Sequence, residues 1–362
     1  MEIEKSLCLH SGGNRPSYPP LPTNSSQPTR HSSMPFWLWP HVLSLEAPLV
    51  AVLWLLGLSR LDHLQIMPGV VPGLGFSVWF IYLADRVLDT FGVPESALSL
   101  RHRFYRRWRW ALVFIVMPAV AVYLAWLGLW VVPARLLTNS VLQLFPIGVY
   151  LILYSVASSQ VRLRLLQAGL VLLLFAINAL PFQENLKLVL SLIIAGAAVL
   201  LMTLRLHEQI ERFFRKEVAA GILFALGCTT WSRFHDFGST SLESWAAVLL
   251  LALLFTCNLA LITAREAGPR ADLRAHGTLI SSLVIVAFTL IAVPLGYVPA
   301  NLLPLSSAVA VGLLGLKILW FNRQRLSAEA FRVWADVVVA LPALATLVWP
   351  TSSAGGSAPC CM

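Results

Sequence analysis

Asp85 and Asp89 stand four residues apart in the segment WFIYLADRVLDT, residues 79–90, at the end of an apolar run. On a helix that spacing puts both carboxylates on one face, about 6 Å apart. Such a pair can share a hard divalent cation such as Mg²⁺, and the cation can in turn hold phosphate oxygens. The C-terminal end of a helix also favours a cation through the backbone dipole. The same acids could instead be solvated groups at a helix end, paired with Arg86 and with the RHRFYRRWR run at 101–109. Three more polar residues interrupt apolar segments: Glu46, Asn178 and Asp336. Burying such groups in lipid is costly, so each marks either a functional position or a carboxyl or amide hydrogen-bonded to a neighbouring helix.

The elements that carry these residues are membrane helices. Of 362 residues, 58% are apolar and only 12% are charged. A soluble domain carries about 25% charged residues, so too little polar surface remains to coat a globule in water. The apolar residues come in long blocks, and a spanning helix needs roughly 20 of them. An ordinary cytosolic enzyme, a disordered chain and a secreted disulfide scaffold are thereby excluded. The five cysteines show no C-x-x-C spacing and no histidine at zinc-site distance. The net charge of +9 does not point to nucleic acid, because the basic residues flank apolar blocks.

Eleven spans are expected, near 38–58, 67–88, 110–131, 139–157, 163–181, 187–205, 217–232, 243–263, 276–295, 301–320 and 330–349. The link Pro181-Phe182-Gln183-Glu184-Asn185 makes 163–205 a tight helical hairpin. With the amino terminus inside, 22 of the 26 Lys and Arg fall in inner segments. That asymmetry is what the positive-inside rule requires of an odd number of spans. Residues 1–36, rich in Ser, Pro and Asn, read as a disordered cytoplasmic tail, 37–350 as a polytopic membrane domain, and 351–362 as a flexible tail outside.

Asp85-Arg86-x-x-Asp89 at the inner end of the second span resembles the first aspartate-rich motif of the UbiA-type intramembrane prenyltransferases, N-x-x-x-D-x-x-x-D, with Ile81 in the asparagine position. Lys216-Glu217-x-x-x-Gly221-x-x-Phe224-x-x-Gly227 is similar to that family's basic residue at the mouth of a helix. Where the family has a second D-x-x-x-D, this chain offers Glu266 and Asp272, six apart and divided by Gly268-Pro269. That pair cannot share one face of a continuous helix.

The resemblance implies an all-α integral membrane fold, a UbiA-like bundle of nine core transmembrane helices, here with 163–205 as an inserted pair. It implies transfer of a prenyl group from a polyprenyl diphosphate to a lipophilic, often aromatic, acceptor. Mg²⁺ would be held by Asp85, Asp89, Glu266 and Asp272, with Lys216 and Arg86 on the diphosphate. A non-catalytic membrane protein of the same fold, a lipid-binding helper or a transporter, is the alternative reading. A basic set with only four Lys among 26 fits a GC-rich bacterial genome, so the bacterial inner membrane is the expected location. Reporter fusions test the orientation. Fusions at residues 30 and 100 are expected to report the cytoplasm and a fusion at 355 the opposite side; residue 100 outside would overturn the scheme.

Overall fold

The computed structural model describes residues 39–90, 100–155, 165, 168–170, 215–235, 242–267 and 269–348. Among the described residues the regular structure is helix, with no strand. A short α1 (Trp39–Val42) precedes α2 (Glu46–Leu61) and α3 (Val70–Asp89). Then α4 (Leu100–Ala111) runs through a π-helical segment, Leu112–Val116, into α5 (Met117–Trp126) and a second π-helical segment, Leu127–Val131. After α6 (Ala134–Ser155) come α7 (Lys216–Cys228) and α8 (Thr230–His235). Four long helices complete the bundle: α9 (Leu242–Ala267), α10 (Pro269–Ala292), α11 (Leu302–Phe321) and α12 (Ala328–Val348).

Among the described residues seven helices are long and apolar enough to cross a bilayer: Val70–Asp89, Arg103–Val131, Ala134–Ser155, Glu243–Glu266, Ala271–Ala292, Leu302–Phe321 and Ala328–Val348. Large apolar side chains on their outer faces stay uncovered by protein, among them Phe288 at 71% and Trp130 at 72% exposure. Water does not tolerate so much continuous apolar surface, whereas lipid does. The chain is an all-α membrane protein.

Seven is fewer than the eleven spans expected. The 163–205 hairpin and Asn178 lie outside the described residues, apart from Leu165 and residues 168–170, as do both tails. The expected spans at 38–58 and 217–232 are present as helices too short to qualify. α2 has 16 residues and α7 has 13, against the roughly 20 that a bilayer core requires. The first is cut at Ser44, which takes a left-handed φ of 54° and whose hydroxyl lies 3.0 Å from the Tyr105 hydroxyl. The second is cut at Thr229. Its hydroxyl donates to the Ala225 carbonyl at 2.9 Å, and the Thr230 hydroxyl donates to the Leu226 carbonyl at 2.8 Å. Hydroxyls that back-bond in this way bend helices. The π-helical turn before α5 has a cause too. Pro118 enters at the first turn of α5 without an N–H and with a ring that crowds the preceding turn.

The core is centred on α9, whose membrane window is 61% buried within the protein. Trp54, Leu251, Leu254, Leu313 and Phe331 are fully enclosed around it. Lipid removes most of the hydrophobic drive between helices, so close approach of small residues must supply the packing. At Gly221, α7 lies so near α9 that a Cβ would sit 2.8 Å from the Thr256 nitrogen and 3.1 Å from the Ala252 carbonyl oxygen. At Gly57, α2 meets α12, and a Cβ would stand 3.2 Å from the Ala343 carbonyl oxygen and strike the Thr346 hydroxyl. Trp54 locks the same pair of helices by donating its indole N–H to the Val339 carbonyl at 3.2 Å. Gly69 starts α3 with φ at 91°, a conformation that only glycine adopts without strain.

Gly221→Val and Gly57→Val are therefore expected to lose roughly 1–3 kcal/mol each through overpacking. Gly73, where a Cβ would meet nothing within 4 Å, should accept alanine without loss. Thermal unfolding of the three variants in nanodiscs measures this.

Candidate functional site

Every fourth residue along one side of α3, namely Gly73, Ser77, Ile81, Asp85 and Asp89, faces a cavity of about 790 Å³. The volume lies in the range that holds a drug-sized or cofactor-sized molecule. Its charged residues and His41 come from one end of the bundle: the C-terminal ends of α3 and α9, the N-terminal ends of α2, α7 and α12, and α1. Gly69, Val70, Leu136 and Trp231, from the opposite ends of their elements, line it as well. The cavity thus runs from a charged mouth into a largely apolar interior, in which Ser77, Ser140, Gln143 and Thr230 are uncharged polar residues.

The first polar group is built by α3, α6 and α7. Asp85, only 8% exposed, accepts a 2.7 Å hydrogen bond on Oδ1 from the Ser155 hydroxyl at the last residue of α6. Lys216 Nζ, on the first residue of α7, lies 3.6 Å from the same oxygen. Arg86 Nη1 donates to Asp89 Oδ2 at 3.2 Å and stands 3.7 Å from Asp85 Oδ2. The Arg86 guanidinium is therefore placed between the two carboxylates. Tyr82 and Tyr150 add their rings to the adjoining wall.

The second polar group is built by α1, α2, α9 and α12. His41, 3% exposed, has Nδ1 2.8 Å from Glu46 Oε2 and Nε2 2.9 Å from Glu329 Oε2. Arg332 donates to Glu266. The Asn258 amide donates from Nδ2 to Asp336 Oδ1 at 3.0 Å. His41, Glu46, Glu266, Arg332 and Asp336 all face the same cavity as Asp85.

Of the residues singled out from sequence, Asp85, Arg86, Asp89, Lys216 and Glu266 thus share one cavity, and Asp272 does not. Asp272 sits in the first turn of α10 and pairs with Arg323 Nη2 at 3.3 Å. Because α9 ends at Ala267 and α10 begins at Pro269, Glu266 and Asp272 stand on different helices and meet different partners. Glu46 and Asp336, notable in the sequence only as polar residues in apolar segments, join the second polar group. Ser155, Asn258, Arg332 and His41 carried no motif. One signal was readable: Asn258, Ile262 and Glu266 repeat at every fourth residue of α9, the same ladder that α3 uses.

Among the described residues six carboxylates line the cavity, Glu46, Asp85, Asp89, Glu217, Glu266 and Asp336, with three permanent cations, Arg86, Lys216 and Arg332. Carboxylates thus outnumber cations among the described residues of the mouth. Among the described residues no three His, Cys, Asp or Glu side chains gather closely enough to cage a metal ion by themselves. Arg86 Nε and two of the three Arg332 nitrogens, Nε and Nη1, are buried without a hydrogen-bond partner. The guanidinium groups keep donors in reserve.

These surroundings set different costs for two aspartates. Asp272 and Arg323 form a half-exposed pair, so Asp272→Ala should lose no more than about 1 kcal/mol. Asp85→Ala strips a partner from Ser155, Arg86 and Lys216 together and should lose roughly 1.5–3 kcal/mol, the range for hydrogen bonds to charged groups. Unfolding midpoints of the two variants decide between equal and unequal losses. No family model, no curated protein and no solved structure matches the chain.

Proposed function

We propose that the protein is a UbiA-like membrane prenyltransferase, which moves a prenyl group from a polyprenyl diphosphate to a lipophilic acceptor. In this reading α2, α3, α4–α5, α6, α7, α9, α10, α11 and α12 are the nine core helices. The bacterial inner membrane is the proposed location, with the charged mouth of the cavity toward the cytoplasm. The observation that carries the reading is the single cavity that joins Asp85, Asp89, Glu266, Arg86 and Lys216 to an apolar interior. A diphosphate bound to a long hydrocarbon chain has the same division of character.

The donor set suits Mg²⁺ in one specific way. Mg²⁺ is usually held by one or two carboxylates together with substrate phosphates, without an all-protein cage. Asp85 and Asp89 supply such a pair, and the excess of carboxylates at the mouth leaves negative charge for a cation to offset. When bound, Mg²⁺ would offset the charge that grows on the leaving diphosphate. Lys216 and Arg86 are the cations within reach of the same oxygens, and they stabilise that charge in a water-poor site, where it counts most. The allylic C–O bond breaks and the diphosphate keeps the electron pair; the prenyl carbon bonds to the acceptor, and the proton that the acceptor loses passes to the departing diphosphate. Tyr82, Tyr150 and Phe224, on the cavity wall, offer ring faces that favour a passing carbocation.

One observation favours the second reading, a non-catalytic lipid-binding protein of the same fold. Arg86 already occupies the space between the two aspartates, as a protein that holds lipid without metal would arrange it. Binding of a fluorescent polyprenyl diphosphate to the purified protein separates the two. Mg²⁺-dependent affinity is expected in the wild type. Asp85→Asn and Asp89→Asn should each lose roughly 10- to 100-fold of it, the equivalent of one charge-assisted contact. Glu266→Gln should lose less, and Asp272→Asn nothing. Affinity that is indifferent to Mg²⁺ would replace the enzyme with the lipid-binding protein.

A further inference from the structure

Beside the large cavity, with Tyr82 lining both, is a recess of about 40 Å³. It shares Ala47, Tyr82, Ala220, Phe224, Leu259 and Asp336 with the large cavity, and Val50, Phe255 and Val339 close its apolar sides. Asn258 also lines it. This side chain is 7% exposed, and its Oδ1 is buried with no hydrogen-bond partner. A buried amide oxygen left without a donor costs about 1–3 kcal/mol, and such a group calls for an explanation.

The orientation of the amide is fixed by its neighbour. Nδ2 donates to Asp336 Oδ1 at 3.0 Å. Turning the amide over would set two oxygens against each other. The open valence in the recess is thus an acceptor, and only a donor can satisfy it. The volume limits the donor's size. A water needs about 10–15 Å³ of such space, so the recess takes a hydroxyl or an amino group, while any ring bearing it stays in the large cavity beside Tyr82 and Phe224.

We infer that the Asn258 recess is a binding subsite that selects a small molecule carrying a hydrogen-bond-donating substituent, a hydroxyl or an amine, on an apolar body. As the seat of the second substrate it rests on the transferase reading above; as a binding site it stands on the recess alone. Ethers, ketones and hydrocarbons of the same shape leave Oδ1 unpaired and are rejected. Sites built to hydrogen-bond a substrate group discriminate strongly against analogues that lack it.

The test is ¹⁹F NMR of full-length protein in nanodiscs, without any diphosphate, so that its result is independent of prenyl transfer. The probes are 4-fluorophenol, 4-fluoroaniline, 4-fluoroanisole and 4-fluorotoluene. Saturable binding is expected for the phenol, the aniline or both, about tenfold or more tighter than for the anisole and toluene. Which of the two donors binds identifies the substituent. Asn258→Leu should abolish the difference. The comparison of probes on the wild type stands by itself if that variant does not fold. Equal affinity for all four probes, or no saturable binding of either donor, overturns the inference. So does a folded Asn258→Leu protein that still prefers the donors.

Discussion

A charged side chain inside a lipid-embedded bundle must find a counter-charge or lose its charge, because isolation in a medium of low dielectric costs several kcal/mol. That constraint organises the polar end of this protein. His41 and Glu329 are 288 residues apart, yet their contact joins the first described helix to the last. Asp85 and Lys216 link α3 to α7 in the same way, and Glu266 and Arg332 link α9 to α12. Removing one member of such a pair leaves its partner stranded, so the pairs specify which helix ends must meet. Apolar packing in lipid is less selective, since hydrocarbon tails compete with it on nearly equal terms.

The cavity lies between two walls of different density. On one side α2, α7, α9, α10, α11 and α12 supply most of one continuous core. On the other, α3, α4, α5 and α6 contribute smaller clusters around Tyr105 and Leu136, and only 11% of the α6 membrane window is buried. The more densely packed wall carries Asn258, Glu266, Arg332 and Asp336, and the other carries Asp85, Arg86 and Asp89. Lys216 and Ser155 connect the two descriptions, because Asp85 is held by one residue from each side.

Much of the fold was legible in the residues. Long apolar blocks marked α3, α5, α6 and α9–α12, with ends displaced by up to seven positions, since span length is set by bilayer thickness. The four-residue spacing of Asp85 and Asp89 gave their shared face. What local pattern could not convey was the effect of distant partners. Nothing near Ser44 marks the left-handed turn that divides α1 from α2; its hydroxyl is matched by Tyr105, 61 residues away. Arg332 and Asp336 looked like a topology signal and an isolated acid until α9 brought Glu266 and Asn258 beside them. Glu266 and Asp272 are different: the sequence already divides them, and they belong to successive helices, α9 ending at Ala267 and α10 beginning at Pro269.

The position of Arg86 has a consequence for the strength of any attachment at the mouth. Its guanidinium serves both aspartates at once, so it behaves as a tethered competitor at fixed, high local concentration. In the proposed reading an incoming cation would have to displace it, and the affinity for that cation would be the difference between two associations. Departure would benefit in turn, since the tethered guanidinium is already at hand to take back both carboxylates. A site made this way would hold a cation loosely and release it readily.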